Sequence, residues 1–170
     1  MRLLRNVLFA ACLLACMSAR AAEPWIVTFD GAGPLRFGMS FDQVNARLGH
    51  KLKRTPPAQR ASTECDQIEL DEIGHKGIWL MFVRDVFKRV DVVAGARTVA
   101  GIAPGDPVER VRAAYRHVEE APRPYVETEL SLTVSAPDGR RALRFETEKG
   151  AVAIIFAGEA TPVQWIEGCL

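Results

Sequence analysis

Three histidines, His50, His75 and His117, are the side chains of this 170-residue chain that ordinarily titrate near neutrality. None falls into H-x-x-x-H or H-E-x-x-H, the spacings that set two imidazoles on one helical face around a metal. His50 and His117 each follow a predicted helix, where a cation sits favourably against the C-terminal end of the dipole. His75, between Gly74 and Lys76, falls in a predicted hairpin loop. Glu64, Asp66, Glu69, Asp71 and Glu72 cluster, but a glycosidase pair must face one cleft, and Asp66 and Glu69 need not face one side. Exposed strand edges commonly carry such charge. A G-x-S-x-G elbow is absent, and Gly31-Ala32-Gly33 lacks the Lys-Ser/Thr of a phosphate loop and reads as a turn. The expectation is therefore no catalytic residue, no metal site and no cofactor.

The cysteines depend on compartment. Arg2 and Arg5 precede an apolar run over residues 7–15, and Ala19-Arg20-Ala21 puts small residues at the two positions a signal peptidase reads. The run is shorter than the roughly 20 apolar residues of a spanning helix. Residues 1–21 read as an export signal and 22–170 as the mature chain, with no second long apolar stretch. Leu13-Leu14-Ala15-Cys16 also resembles a lipobox, so lipidation at Cys16, giving an outer-membrane lipoprotein, is the alternative to release into the periplasm or medium. After soluble release Cys65 and Cys169 remain. In an oxidising compartment they read first as a disulfide, with two buried free thiols as the alternative. Without C-x-x-C spacing or a nearby histidine they do not read as a metal site.

Losing Arg2, Arg5 and Arg20 takes the 22 basic residues to 19 against 21 acidic ones, a formal charge of −2. That balance gives no electrostatic reason to expect nucleic acid. The composition, 48% hydrophobic and 25% charged, is that of an ordinary globular chain and argues against disorder. Arg84, Lys88 and Arg89 mix with Asp85 and Asp91, and Arg140, Arg141 and Arg144 follow a turn; both groups read as solvated faces. Aromatic side chains could anchor a partner. Trp79, inside an apolar run, reads as core. Trp25, Trp165 and Tyr125 are the candidate partner contacts, with the proline-flanked loop 118–127 as the favoured surface.

The elements that must position these residues recur. Phe41, Val44 and Leu48 share one helical face, and Val108, Val111 and Tyr115 repeat the spacing 67 residues later. Ser40 with Gln43 forms a capping box, and Gly49 ends the first helix. Asp106 is predicted to cap the second, with Pro107 at its first position, and that helix is expected to reach about His117. Strand-like runs follow each helix, near 66–71, 77–84 and 86–93, then near 128–135, 140–147 and 150–157. Asp138-Gly139 marks a hairpin. Trp25–Phe29 reads as an opening strand, Val163–Ile166 as a closing one, and Gly95–Gly101 as a seam. The prediction is an α+β fold: a tandem repeat of a short helix and an antiparallel β-meander, about 24–95 and 96–170, packed as one domain.

Gly38, Met39, Ser40, Val44, Leu48 and Gly49, echoed at Gly105, Val108 and Val111, resemble the repeat unit of the beta-lactamase-inhibitor-protein-like group. One copy of the unit is similar in small outer-membrane lipoproteins of the barrel-assembly machinery. The Trp165-Ile166-Glu167-Gly168-Cys169 tail is similar to that of certain secreted bacterial proteins. The resemblance covers about 24–170 and implies a binding or inhibitory scaffold without cofactor or catalysis. Asp106 stands where the first copy has Met39, and Arg116 where it has Gly49, and no family contact residue carries over. The functional expectation is an exported, non-enzymatic envelope protein that binds or inhibits a protein partner. A small-ligand or saccharide binder and a hydrolase with an unrecognised site are the alternatives.

Overall fold

Alternation of apolar and polar side chains makes strands the commonest regular element of this chain. The computed structural model describes residues 24–60 and 62–169. The predicted signal and Cys16 lie outside them. In chain order the described residues form β1 (Trp25–Thr28), β2 (Gly31–Ala32), β3 (Leu35–Arg36), α1 (Phe41–Arg47), β4 (Cys65–Glu69), β5 (Ile78–Val83), β6 (Val86–Val92) and β7 (Ala96–Thr98). Then come α2 (Val108–Ala114), β8 (Glu119–Arg123), β9 (Val126–Ser135), β10 (Arg141–Glu148), β11 (Ala151–Glu159) and α3 (Ala160–Val163). The fold is α+β. A small sheet runs β3-β2-β1-β7 and a large one β4-β5-β6-β11-β10-β9-β8. Every pairing is antiparallel except β1 with β7.

Both meanders therefore share the large sheet, joined where β6 meets β11. Each helix docks on its meander through the same backbone contacts. Gly38 N–H donates to the Phe87 carbonyl at 2.9 Å, Phe87 N–H to Met39 at 2.8 Å and Phe41 N–H to Asp85 at 3.0 Å. At the second helix Gly105 donates to Val152 at 2.7 Å, Val152 to Asp106 at 2.8 Å and Val108 to Gly150 at 3.0 Å. The β5–β6 and β10–β11 hairpins each shift register once, at Met81/Phe82 and Glu146/Thr147. Their turns are left-handed at both central residues, Arg84-Asp85 and Lys149-Gly150, as tight hairpins between twisted strands prefer.

The main core lies between one face of the large sheet and the helices with the small sheet. Phe41 and Val44 of α1 and Val108 and Val111 of α2 join one cluster with Leu80, Phe82, Phe87, Phe145 and Ile155. The Ser40–Gln43 capping box forms in both directions. At α2 Pro107 occupies the cap position instead of Asp106, and no side chain caps it. The Asp106 carboxylate turns back to accept from Ala103 N–H at 2.8 Å, satisfying the preceding turn. The helix ends at Ala114, short of His117, because Tyr115 leaves in extended conformation and lays its ring against Phe145.

Two further expectations are corrected. The closing strand at Val163–Ile166 is instead the short helix α3 and a turn. Pro162 has the fixed φ of a first helical turn, where its missing N–H costs nothing. The loop 118–127 holds an edge strand, β8, hairpinned onto β9. Pro122 is accommodated there because an edge strand has one unpaired side.

Candidate functional site

Strand alternation that sends Val90, Val92, Leu143 and Phe145 to the core sends Arg89, Asp91, Arg144 and Glu146 to the opposite face of the sheet. That face is not solvated at these residues, contrary to their sequence reading; all four are buried. The Arg89 guanidinium grips both Asp91 oxygens, at 2.6 and 2.8 Å, and donates to the carbonyls of Pro162 and Trp165 at 2.7 Å each. Arg144 donates to Glu146 at 2.7 Å and to the carbonyls of Val163 and Gln164 at 3.4 and 3.3 Å. Both guanidiniums stack toward the Phe156 ring, at 4.9 and 5.8 Å. The physical reason is the end of α3, whose last carbonyls have no intrahelical partner and need donors. Burial pushes the Asp91 carboxyl above its ordinary value despite Arg89, and pulls the Arg144 guanidinium down despite Glu146.

Past α3 the chain crosses to the β4 edge, where Cys169 is bonded to Cys65 with Cα atoms 5.4 Å apart. Gly168 presses on the Gln67 side chain; a Cβ there would stand 2.4 Å from Gln67 Oε1. The C-terminal segment is thus pinned by a covalent bond at one end and two buried arginines at the other.

A groove of about 640 Å3 opens beside this segment, walled by Trp165, Ile166 and Glu167, by Val83 and Glu64, and by Tyr125 of the β8–β9 turn. Tyr125 is 83% exposed and Trp165 37%, with Val126 and Ile166 also exposed. Tyr125 holds a left-handed backbone, φ 66°, and its hydroxyl donates to Glu167 Oε1 at 3.4 Å. A second hollow of about 180 Å3 shares the disulfide and Glu167 with the groove and adds Arg60 and Asp66. Asp66 is 4% exposed, and neither carboxylate oxygen has a hydrogen-bond partner.

The structure thus brings two predicted contacts, Tyr125 and Trp165, to one groove, with the Cys65–Cys169 pair in its wall. Trp25 is not with them. It is 8% exposed, its ring 4.6 Å from that of His75 and lying over Gly33, where a Cβ would stand 2.6 Å from the indole. Trp25 is therefore a core residue. Trp79, read as core, is half-buried on the opposite face from the core, because Ile78, Leu80 and Phe82 take the inward positions of β5. His50 and His117 are exposed at the ends of their helical segments. Glu64 pairs with Arg84 at 3.1 Å, Glu72 with Lys53 at 3.8 Å, and Asp71 accepts from Gly77 N–H at 2.9 Å. Among the described residues no group of three or more His, Cys, Asp or Glu is placed to hold a metal ion, and no helix is long and apolar enough to cross a membrane.

Sequence reasoning missed Ile166 and Glu167 as groove residues, and the two arginines as clamps. The arginines left a signal: Arg-x-Asp at 89–91 and Arg-x-Glu at 144–146 put opposite charges on the same face of a strand. No protein-family model, curated protein or solved structure matches the chain.

Proposed function

We propose that this chain is an exported, non-enzymatic binding protein of the cell envelope or extracellular space, which docks a protein partner in the Tyr125–Trp165 groove. Tyr125 carries the reading. A left-handed backbone costs a residue with a Cβ roughly 1–2 kcal/mol, which glycine avoids. A tyrosine so exposed gains no core packing in return. Strained, exposed residues cluster at ligand clamps, and large aromatics dominate interface energetics.

The surroundings support it. The disulfide and the arginine clamp hold the groove's wall in place before binding, which lowers the ordering cost of association. The N-terminal pattern supports export followed by soluble release, with lipidation at Cys16 as the variant form. A tandem helix-and-meander repeat packed as one domain is supported by the Gly38/Gly105 spacing, the matching helix–strand hydrogen bonds and the matching register shifts. That arrangement is the basis for likening the chain to the beta-lactamase-inhibitor-protein-like scaffolds.

The test uses three tagged proteins: wild type, Tyr125→Gly and Trp165→Ala. Wild type is expected to retain a discrete set of envelope proteins that both variants lose while their melting curves stay close to wild type. Equal retention by folded variants would contradict the reading.

A further inference from the structure

Resting on the groove as a docking surface, we propose that its partner presents an apolar side chain beside a basic one, and that the basic group is received at Glu167 next to the disulfide. The apolar part of the groove comes from Val83, Tyr125, Trp165 and Ile166. Among the described residues its charged walls are Glu64 and Glu167, both acidic. Glu64 is answered by Arg84 at 3.1 Å. Glu167 makes no ion pair among the described residues; it accepts only the Tyr125 hydroxyl.

Glu167 is also the wall common to the groove and the smaller hollow behind it. There Asp66 lines the hollow, buried, with both oxygens lacking a donor. Arg60 approaches Asp66 Oδ2 only to 3.5 Å, and its Nε donates instead to the Thr55 carbonyl at 2.7 Å. A buried carboxylate without donors is costly to hold, and a cation with several N–H groups relieves it. A lysine or arginine side chain entering past Tyr125 would lay its alkyl stem along Trp165 and Ile166 and carry its charge to Glu167 and toward Asp66. An acidic side chain in the same place would face uncompensated repulsion.

Three labelled ten-residue peptides test this by fluorescence anisotropy on the intact disulfide-bonded protein. Each carries a central Leu-Tyr pair, flanked by lysines, by glutamines or by glutamates. The lysine peptide is expected to bind about tenfold or more tightly than the glutamate peptide, with the preference weakening at high salt. Glu167→Gln is expected to remove most of that preference; Glu72→Gln, away from the groove, to leave it unchanged. Asp66→Asn, whose fold is checked by its melt, is expected to reduce it further. Equal binding of all three peptides, lost in Tyr125→Gly, would overturn the charge assignment and leave the groove standing. Absence of binding, or binding indifferent to Tyr125→Gly, would overturn both.

Discussion

Tyr125 and Trp25 are both large aromatics, yet their surroundings give them opposite roles. Trp25→Ala empties a site filled by the indole between Gly33 and His75 and is expected to cost about 3–5 kcal/mol in urea unfolding. Tyr125→Gly is expected to leave stability unchanged or to raise it by up to about 1 kcal/mol, because the left-handed turn is relaxed while the unfolded chain gains freedom. Sequence alone does not separate Trp25 from Trp165. Trp25 beside Ile26 and Trp165 beside Ile166 look equivalent, and what buries the first is a glycine and a histidine brought from other segments. His75 carries a pH signature. Burial, then the charge of Lys51, holds its imidazole below the ordinary value of about 6.5. The unfolded chain then binds the proton more readily, so stability falls as pH drops through 6.5 toward the folded value, and is unaffected above it. Melts of His75→Gln against wild type are expected to converge in that acidic window and to differ by a constant amount at neutral pH and above.

Among the elements, those with local signals were legible. The Ser40–Gln43 box set the start of α1, and Asp138-Gly139 marked the turn before β10. What escaped depended on distant partners. The four residues of α3 are too few to show a helical period, and their carbonyls are satisfied by arginines from β6 and β10. β8 escaped because Pro122 and the neighbouring Pro124 read as loop, while its strand character comes from pairing with β9. Two outcomes follow for the pinned C-terminal segment. Arg89→Ala strands the buried Asp91 and is expected to cost about 3–5 kcal/mol, whereas Arg89→Met with Asp91→Leu recovers only part of it, because the Pro162 and Trp165 carbonyls still lose their donor. Replacing Cys65 and Cys169 by serine opens a crosslink between residues 104 apart and is expected to lose up to about 4–5 kcal/mol in guanidinium unfolding.

At the scale of the molecule, everything depends on β6 joining β11. Gly158 lies opposite Arg89 at that junction, and a Cβ there would stand 2.1 Å from the Lys88 carbonyl. Gly158→Ala is therefore expected to cost about 1–3 kcal/mol or more, read as a lowered denaturant midpoint. The starts of the two helices were legible from residues such as Gly38 and Gly105, which precede them. The junction was not, because an antiparallel pair between strands so far apart leaves no local pattern. Joining the meanders there lets the C-terminal segment cross from β11 to the β4 edge and brings Trp165 within reach of the groove whose other wall is Tyr125. The central claim is that this groove docks a protein, and site-specific photocrosslinking tests it most directly. A photoreactive amino acid is placed at position 125 or, as control, at the 72%-exposed Val99, in the full 170-residue chain. The account predicts a discrete protein adduct from position 125 and none from 99. No adduct, or the same adducts from both positions, would contradict it.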